Sequence, residues 1–254
     1  MAKRLDVYPI PAIARDLPPQ GVAVAIDALR ATTTIATALA NGAAKVVPFE
    51  SVDETRAAKA AALEAKPELK DRLLLGGERG GLPILGFDLG NSPDAYSRDV
   101  VEGKTIFFTT TNGTKAILRC RGVALLASYL NAEAVARRIL RENADVVSIV
   151  CAGTNGDYTE EDLLLAGLLV DRLALRDDFD LNVQAEVSRE EWRRARATAP
   201  LVDLLKASRG GQNLNRIKLT KDVADAARLD SLDVVPEFRV GVIQLDATFE
   251  RERR

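Results

Sequence analysis

Apolar positions fall into short unbroken runs separated by amphipathic stretches, the pattern of strands buried on both faces of a sheet and joined by helices. Gly21 to Asp27 (GVAVAID) is the first such run; Thr32 to Ala40 then reads as a helix closed by Asn41 and Gly42. Lys45 to Phe49 returns as a strand, with Pro48 marking a sheet edge or the strand's own end. Ser51 and Glu54 form a capping box that opens an Ala-rich helix stopping near Pro67, and Leu73 to Gly76 resumes the sheet. The stretch from Gly76 to Asp94 is too glycine-rich for regular structure, and a loop of that length is more often functional than idle. Ser92 followed by Pro93 resembles an N-cap with proline at the first helical position.

The alternation continues with strands at Lys104 to Thr110, Val123 to Tyr129 and Asp145 to Val150. Between them lie a turn and short helix, Asn112 to Cys120, and a helix Ala132 to Arg141 capped by Asn131. Thr159 begins an amphipathic helix that runs to about Leu173, with Glu160, Glu161 and Asp162 in its positive first turn. Ser188 and Glu191 form a capping box for a polar helix carrying Trp192, which Leu201 to Lys206 continues. Ser208 to Leu214 (SRGGQNL) is a second glycine-rich loop, followed by a helix near Asp222 to Ala227, a last strand at Arg239 to Leu245 and a charged, solvated tail from Glu250 to Arg254.

This order predicts an α/β fold: a mixed or mostly parallel sheet flanked by helices in three layers. ATTTIATALANGAAKVVPFESVDE and TTTNGTKAILRCRGVALLASYLNAE share one plan of threonine cluster, helix, turn, strand and capped helix. An internal duplication would explain the likeness and divide a single 1–254 domain into two similar lobes, about 1–100 and 101–254.

Composition narrows the chemistry. The 254 residues include 35 Lys and Arg against 37 Asp and Glu, a net charge of −2, which disfavours general nucleic-acid binding. There is no histidine, so imidazole bases, histidine phosphotransfer and Ser-His-Asp or Cys-His arrangements are excluded. The two cysteines, Cys120 and Cys151, form no C-x-x-C pair, which points to a reducing compartment. No run of ~18 apolar residues and no apolar leader core suggests membrane insertion or secretion, so the expected location is the cytoplasm. A symmetric homodimer is the default expectation for assembly.

Ligands of open α/β sheets bind outside the carboxyl ends of the strands. The polar residues falling there are Asp27, Arg30 and Thr32 to Thr34; Glu78 and Arg79; Thr109 to Thr111 with Asn112 and Thr114; and the run from Cys151 through Gly153, Thr154 and Asn155, just ahead of Glu161 and Asp162. Repeated hydroxyls, glycines and helix N-termini at one edge suit an anion. Each also has a structural reading: Asp27 as a turn former, the threonines as strand or cap residues, Glu161 and Asp162 as complements to a helix dipole, Cys151 as a small core side chain. Arg79, inside Gly-Gly-Glu-Arg-Gly-Gly, has the fork that grips phosphate, carboxylate or sulfonate. The G-x-x-x-x-G-K-[ST] pattern fails at Leu82, and D-x-D-x-[TV], begun at Asp27, fails at Leu29 and Ala31.

Together, AIDALRATTTIATALANGA, GGERGGLPILGFDLGNSPDAY, TTTNGTKA, LNAEAVA, VCAGTNGDYTEEDLLLAG and SRGGQNL resemble the 2-phosphosulfolactate phosphatase family, in its order and over roughly residues 20 to 240. The chain departs from the family pattern at NRIKLTKDVADAA, which lacks a glycine before the Asp222 region, and its last third matches loosely. The resemblance implies an Mg2+-dependent phosphatase that converts 2-phosphosulfolactate to 3-sulfolactate and phosphate, a step of coenzyme M biosynthesis. It implies motif membership for Asp27, Arg30, Glu78, Arg79, Asp88, Asn91, Ser92, Asn112, Thr114, Asn131, Glu161 and Asp162. On this footing the expected catalytic set is Asp27, Arg30, Glu78, Arg79, Asp88, Asn112 and Thr114. The expected substrate contacts are Thr32, Asn91, Ser92, Thr110, Asn131 and Gly153. Magnesium takes oxygen ligands and needs no histidine, and Asp27, Glu78, Glu161 and Asp162 are its candidate ligands. Asp27 either activates water or attacks phosphorus directly. Two other readings stay open: a phosphatase for another 2-phospho-hydroxy acid such as phosphoglycolate or phospholactate, and a non-catalytic anion-binding protein.

Overall fold

The computed structural model describes residues 3–15 and 17–246, and the charged tail lies outside them. Eleven strands form one mixed sheet with helices on both faces, the α/β architecture expected. β2 (Val22–Ile26) is buried at every position because it pairs in parallel with β7 (Val123–Ala127) on one side and β8 (Val146–Cys151) on the other. β1 (Lys3–Tyr8) and β9 (Phe179–Leu181) extend that parallel group.

A second parallel group places β6 (Thr105–Thr109) between β3 (Lys45–Phe49) and β4 (Leu73–Arg79), with the two-residue β5 (Leu82–Pro83) outermost. A hairpin of β10 (Pro236–Arg239) and β11 (Val242–Leu245) joins the groups, antiparallel to β7 and to β3. The two parallel groups therefore run in opposite directions. The strands also interleave: β2 lies between strands from later in the chain, and β6 lies between β3 and β4 from earlier.

α1 (Ala31–Ala40), the single turn α3 (Arg98–Val101) and α4 (Gly113–Arg119) pack on one face in a core with Ala23, Ala25, Ile106, Phe108 and Leu126. On the other face α5 (Ala132–Glu142), α6 (Glu160–Ala174) and α7 (Val183–Thr198) bury Val24, Ile26, Leu125 and Ile149, while α2 (Val52–Ala65) covers Leu73, Leu75 and Phe107.

Several local expectations change. Pro48 sits in an interior strand, which is allowed because β11 reaches β3 only at Val46 and so asks no hydrogen bond of the proline. β4 runs on to Arg79, three residues past Gly76, because β5 folds back to pair with Glu78 and Arg79. α7 begins at Val183, where the Asn182 Oδ1 accepts from the Ala185 amide; Ser188 lies inside the helix and donates to the Ala185 carbonyl. Pro200 separates α7 from α8 (Leu201–Ala207). The SRGGQNL segment is helical, α9 (Arg209–Arg216), with Ser208 as N-cap, and α10 (Thr220–Ala226) follows. The expected last strand is the hairpin β10–β11, turning at Val240 and Gly241.

Asn131 is fully buried and spent on the fold. Its Oδ1 accepts from the Ser128 amide and hydroxyl, and its Nδ2 donates to the Leu126 and Val234 carbonyls, tying β7 to the segment before β10. Asn131→Ala leaves buried groups unpaired and is expected to cost roughly 2–4 kcal/mol, seen as a lower urea midpoint at unchanged slope.

Candidate active site

A cavity of ≈350 Å³ opens where the ends of β2, β4, β6 and β8 meet α9, at the lower end of the ~300–1,000 Å³ typical of ligand pockets. Of the residues anticipated, Asp27, Arg30, Glu78, Asn91, Asn112, Gly153, Glu161 and Asp162 line it. Leu29, Thr111, Gly210, Asn213, Leu214, Arg216 and Ile217 also contribute.

Asp27 follows β2 directly. Thr32 fixes its backbone by donating Oγ1 to the Asp27 carbonyl at 2.8 Å, and the Ala31 amide donates to the carboxylate Oδ1. Gly113, the first residue of α4, is needed here: a Cβ would lie 2.4 Å from Asp27 Oδ2 and 2.5 Å from the Ala31 Cβ. Gly210 makes the same room for Glu161, whose Oε1 would lie 2.2 Å from an added Cβ.

The four acidic residues sort into two kinds. Glu78 is a clamp: its carboxylate accepts from the Gly81 amide (2.6 Å) and from the Thr111 amide (2.7 Å) and hydroxyl, joining β4 to the end of β6. Asp162 is another, accepting from the Ala28 amide (2.8 Å) and the Gly153 amide (3.0 Å) and so binding α6 to β2 and β8. Asp27 accepts only at Oδ1, and the Glu161 Oε2 is buried without a hydrogen bond. The Asn91 Oδ1 is equally buried and unpartnered.

Burial and mutual repulsion load these carboxyls. Burial pushes Asp27 up to about 7, helped by Glu78 and Glu161 and opposed by the Ala31 amide and Arg30. Burial, with Asp27 and Glu161 nearby, holds Asp162 well above the ordinary carboxylate range, and burial raises Glu161 too.

Arg30 lines the cavity but is already committed. One guanidinium nitrogen meets Asp222 of α10 at 2.5 Å and Ser92 Oγ at 3.1 Å, and the other donates to the Gly81 carbonyl at 2.6 Å. Ser92 also donates to Asp222 rather than capping the turn at Pro93.

Other anticipated residues lie outside the cavity, each for a visible reason. Arg79 turns away and donates to the Glu78 and Glu50 carbonyls and the Thr109 hydroxyl, stitching β3, β4 and β6 together. Asp88 accepts from the Leu75 amide and Lys59; partial burial raises its pKa, but these two partners hold it below the usual carboxylate range. Thr110 and Thr114 bond to each other across the start of α4 and are fully buried. Thr32 supports Asp27 from behind, and Asn131 serves the fold as described. Cys151 is buried, and burial raises its thiol, so it stays with the core.

The sequence reading missed Asp222 as a site residue, having marked only a helix start there, and missed the α9 face altogether. The one available signal was SRGGQNL itself, whose glycines admit close approach to Glu161.

A cavity lined by buried carboxyls and amides at the strand ends of an α/β sheet is the arrangement of an enzyme's small-ligand site. The model of the 2-phosphosulpholactate phosphatase family matches residues 10–241. A probable 2-phosphosulfolactate phosphatase of Symbiobacterium thermophilum is 44% identical over 228 residues, 88% of this chain and 94% of the relative. Proteins of the same description from Caldanaerobacter subterraneus (38% over 238 residues; 92% and 94% covered) and Carboxydothermus hydrogenoformans (42% over 216; 84% and 84%) are also similar. The chain belongs to the 2-phosphosulfolactate phosphatase family, and it is a phosphoric monoester hydrolase.

The raised Asp27 carboxyl sets a pH dependence. A carboxyl whose folded-state value lies above the unfolded one favours the fold fully below pH ~4, and that contribution disappears as pH rises through about 7. With chelator present, Asp27→Asn is expected to melt several degrees above wild type at pH 8, the gap closing as pH falls below about 4; a constant gap across a thermal series would contradict this account.

Proposed function

We propose that the chain hydrolyses 2-phosphosulfolactate to 3-sulfolactate and phosphate with Mg2+ as cofactor, and that the step serves coenzyme M biosynthesis in the cytoplasm. The observation that supports the metal is the pair of buried oxygens without partners, Glu161 Oε2 and Asn91 Oδ1, on the wall of an acidic cavity. Among the described residues no three carboxylates converge to chelate a metal unaided. Magnesium takes one or two carboxylates and completes its octahedron with water and substrate phosphate. Glu161 and Asn91 would hold the ion beside Asp27, and the bound ion would supply charge neutralisation at the phosphoryl oxygens.

The protein's own groups provide the rest. The phosphoryl group enters at the Asp27 end, where Gly153, Asn112 and the start of α4 line the wall. Asp27, with its pKa near neutrality, takes the proton from a water whose oxygen bonds to phosphorus. The bond between phosphorus and the ester oxygen breaks, and that oxygen takes the proton Asp27 received from water, so that 3-sulfolactate leaves with its hydroxyl formed and Asp27 returns to its carboxylate. Glu78 and Asp162 act by holding the loops that carry Thr111 and Gly153, their oxygens being already engaged.

The decisive assay is phosphate release from a panel of 2-phosphosulfolactate, 2-phospholactate and phosphoglycolate, with magnesium and with chelator. Release that needs magnesium and is fastest for 2-phosphosulfolactate is expected; no release from any ester would leave only an anion-binding protein. Asp27→Asn is expected to lose at least ~100-fold in kcat at saturating magnesium, in line with removal of a general base, and near-wild-type turnover would remove Asp27 from the mechanism. Magnesium is expected to raise the melting temperature of the wild type, and Glu161→Gln to abolish that rise.

A further inference from the structure

The cavity wall carries both signs of charge. Asp27, Glu78, Glu161 and Asp162 are its acidic groups, and among the described lining residues Arg30 and Arg216 are the only cations. Arg30 has its guanidinium filled by Asp222, Ser92 and the Gly81 carbonyl. Arg216, in the last turn of α9, makes one hydrogen bond, to the Asn213 Oδ1 of its own helix at 2.9 Å. A guanidinium carries five N–H donors, so this exposed side chain has donor capacity beyond that one bond.

A second cavity of ≈360 Å³ continues the first, with Thr154, Asn155, Asn213 and Arg216 on the walls of both. Its other lining residues include Gln212 and Arg209, the latter paired with Asp157 at 3.0 Å. Asp27, the apolar side chains Leu214 and Ile217 and the Arg216 guanidinium thus share the walls of one cavity.

We infer that Arg216 is a specificity-determining residue: it receives the sulfonate of the substrate while the phosphoryl group lies at the Asp27 end. The inference rests on the reading of the chain as a phosphatase for 2-phosphosulfolactate, and it adds what that reading leaves open, namely which group distinguishes this ester from its desulfonated analogues. Sulfonate and guanidinium are both ionised at every working pH, and a planar fork matches two sulfonate oxygens. 2-Phospholactate carries the same phosphate and carboxylate with a methyl hydrogen where the sulfonate stands, so it bypasses Arg216. Asn155 and Asn213, on the shared wall, offer amide donors beside the same point.

The test compares kcat/KM for 2-phosphosulfolactate and 2-phospholactate in wild type, Arg216→Gln and Arg216→Lys. Arg216→Gln is expected to reduce the preference for the sulfonated ester by roughly tenfold to a hundredfold, the range for losing a charge-assisted hydrogen bond. Arg216→Lys is expected to keep part of that preference. Equal losses on both esters in Arg216→Gln would overturn the inference. Calorimetry with 3-sulfolactate and lactate supplies a readout without turnover: wild type is expected to bind 3-sulfolactate more tightly, and Arg216→Gln to erase the difference. A preference that survives in Arg216→Gln would also overturn it. A wild type inactive on every ester would sink the hydrolytic reading alone, and the calorimetric comparison would still decide the role of Arg216.

Discussion

Like charges held together out of water are the constraint around which this molecule is arranged. Glu161 raises Asp27, Asp27 and Glu161 together raise Asp162, and Arg30, engaged by Asp222, only partly offsets the charge at Asp27. Burying even one unpaired carboxylate costs several kcal/mol, so a cluster of this kind must be secured by the rest of the fold. The fold does so with backbone amides. Ala28, Ala31 and Gly153 each donate to one of these carboxylates from a tight turn after a strand fully enclosed by its neighbours. Stability is surrendered at the cavity to keep a cluster of carboxyl groups there, and the magnesium ion proposed above would draw on it.

The Arg30–Asp222 pair performs a different task. Both side chains are almost wholly buried, and they connect the turn after β2 with α10, near the far end of the sequence. Ser92 joins them from the loop after β4, so three distant segments meet at one carboxylate. A pair so enclosed contributes little net stability over an apolar substitute, but removing either partner strands the other charge. Its effect is to fix where α9 and α10 sit relative to the strand ends, and α9 carries the residues that close the cavity.

How much of this was readable in advance follows from what each residue type can and cannot announce. The interior strands β2, β6, β7 and β8 stood out because they are apolar on both faces. The outer and joining strands β1, β9 and β10 were missed: one is half polar, one has three residues, and one is separated from its partner only by Val240 and Gly241. α9 was hidden because Gly210 and Gly211 argue against a helix, yet close contact with Glu161 and the Leu205 carbonyl leaves no room for side chains there. Asp27 was recognisable as a polar residue at a strand end and Glu161 from its place in the first turn of the helix after one, whereas Asn91 came only with the family resemblance. Their separation from Arg79, Asp88, Thr114 and Asn131 was not, because a motif records which residues accompany a site and not which way they face. Arg79 illustrates the point: its fork is suited to phosphate and is used instead on two carbonyls and a hydroxyl that hold three strands in register.

The interleaved strand order has a bearing on how the chain comes to be folded in a cell. β2, which leads directly into Asp27, gains its sheet neighbours only when residues 123–127 and 146–151 exist, and β3 meets β11 only after residue 242. The first third of the nascent chain therefore emerges from the ribosome with its most apolar strand unpaired, and sheet completion waits for the end of synthesis. Protein of this topology is exposed to aggregation for most of its translation, so its yield in a host responds to holding chaperones and to temperature more than its final stability alone would suggest.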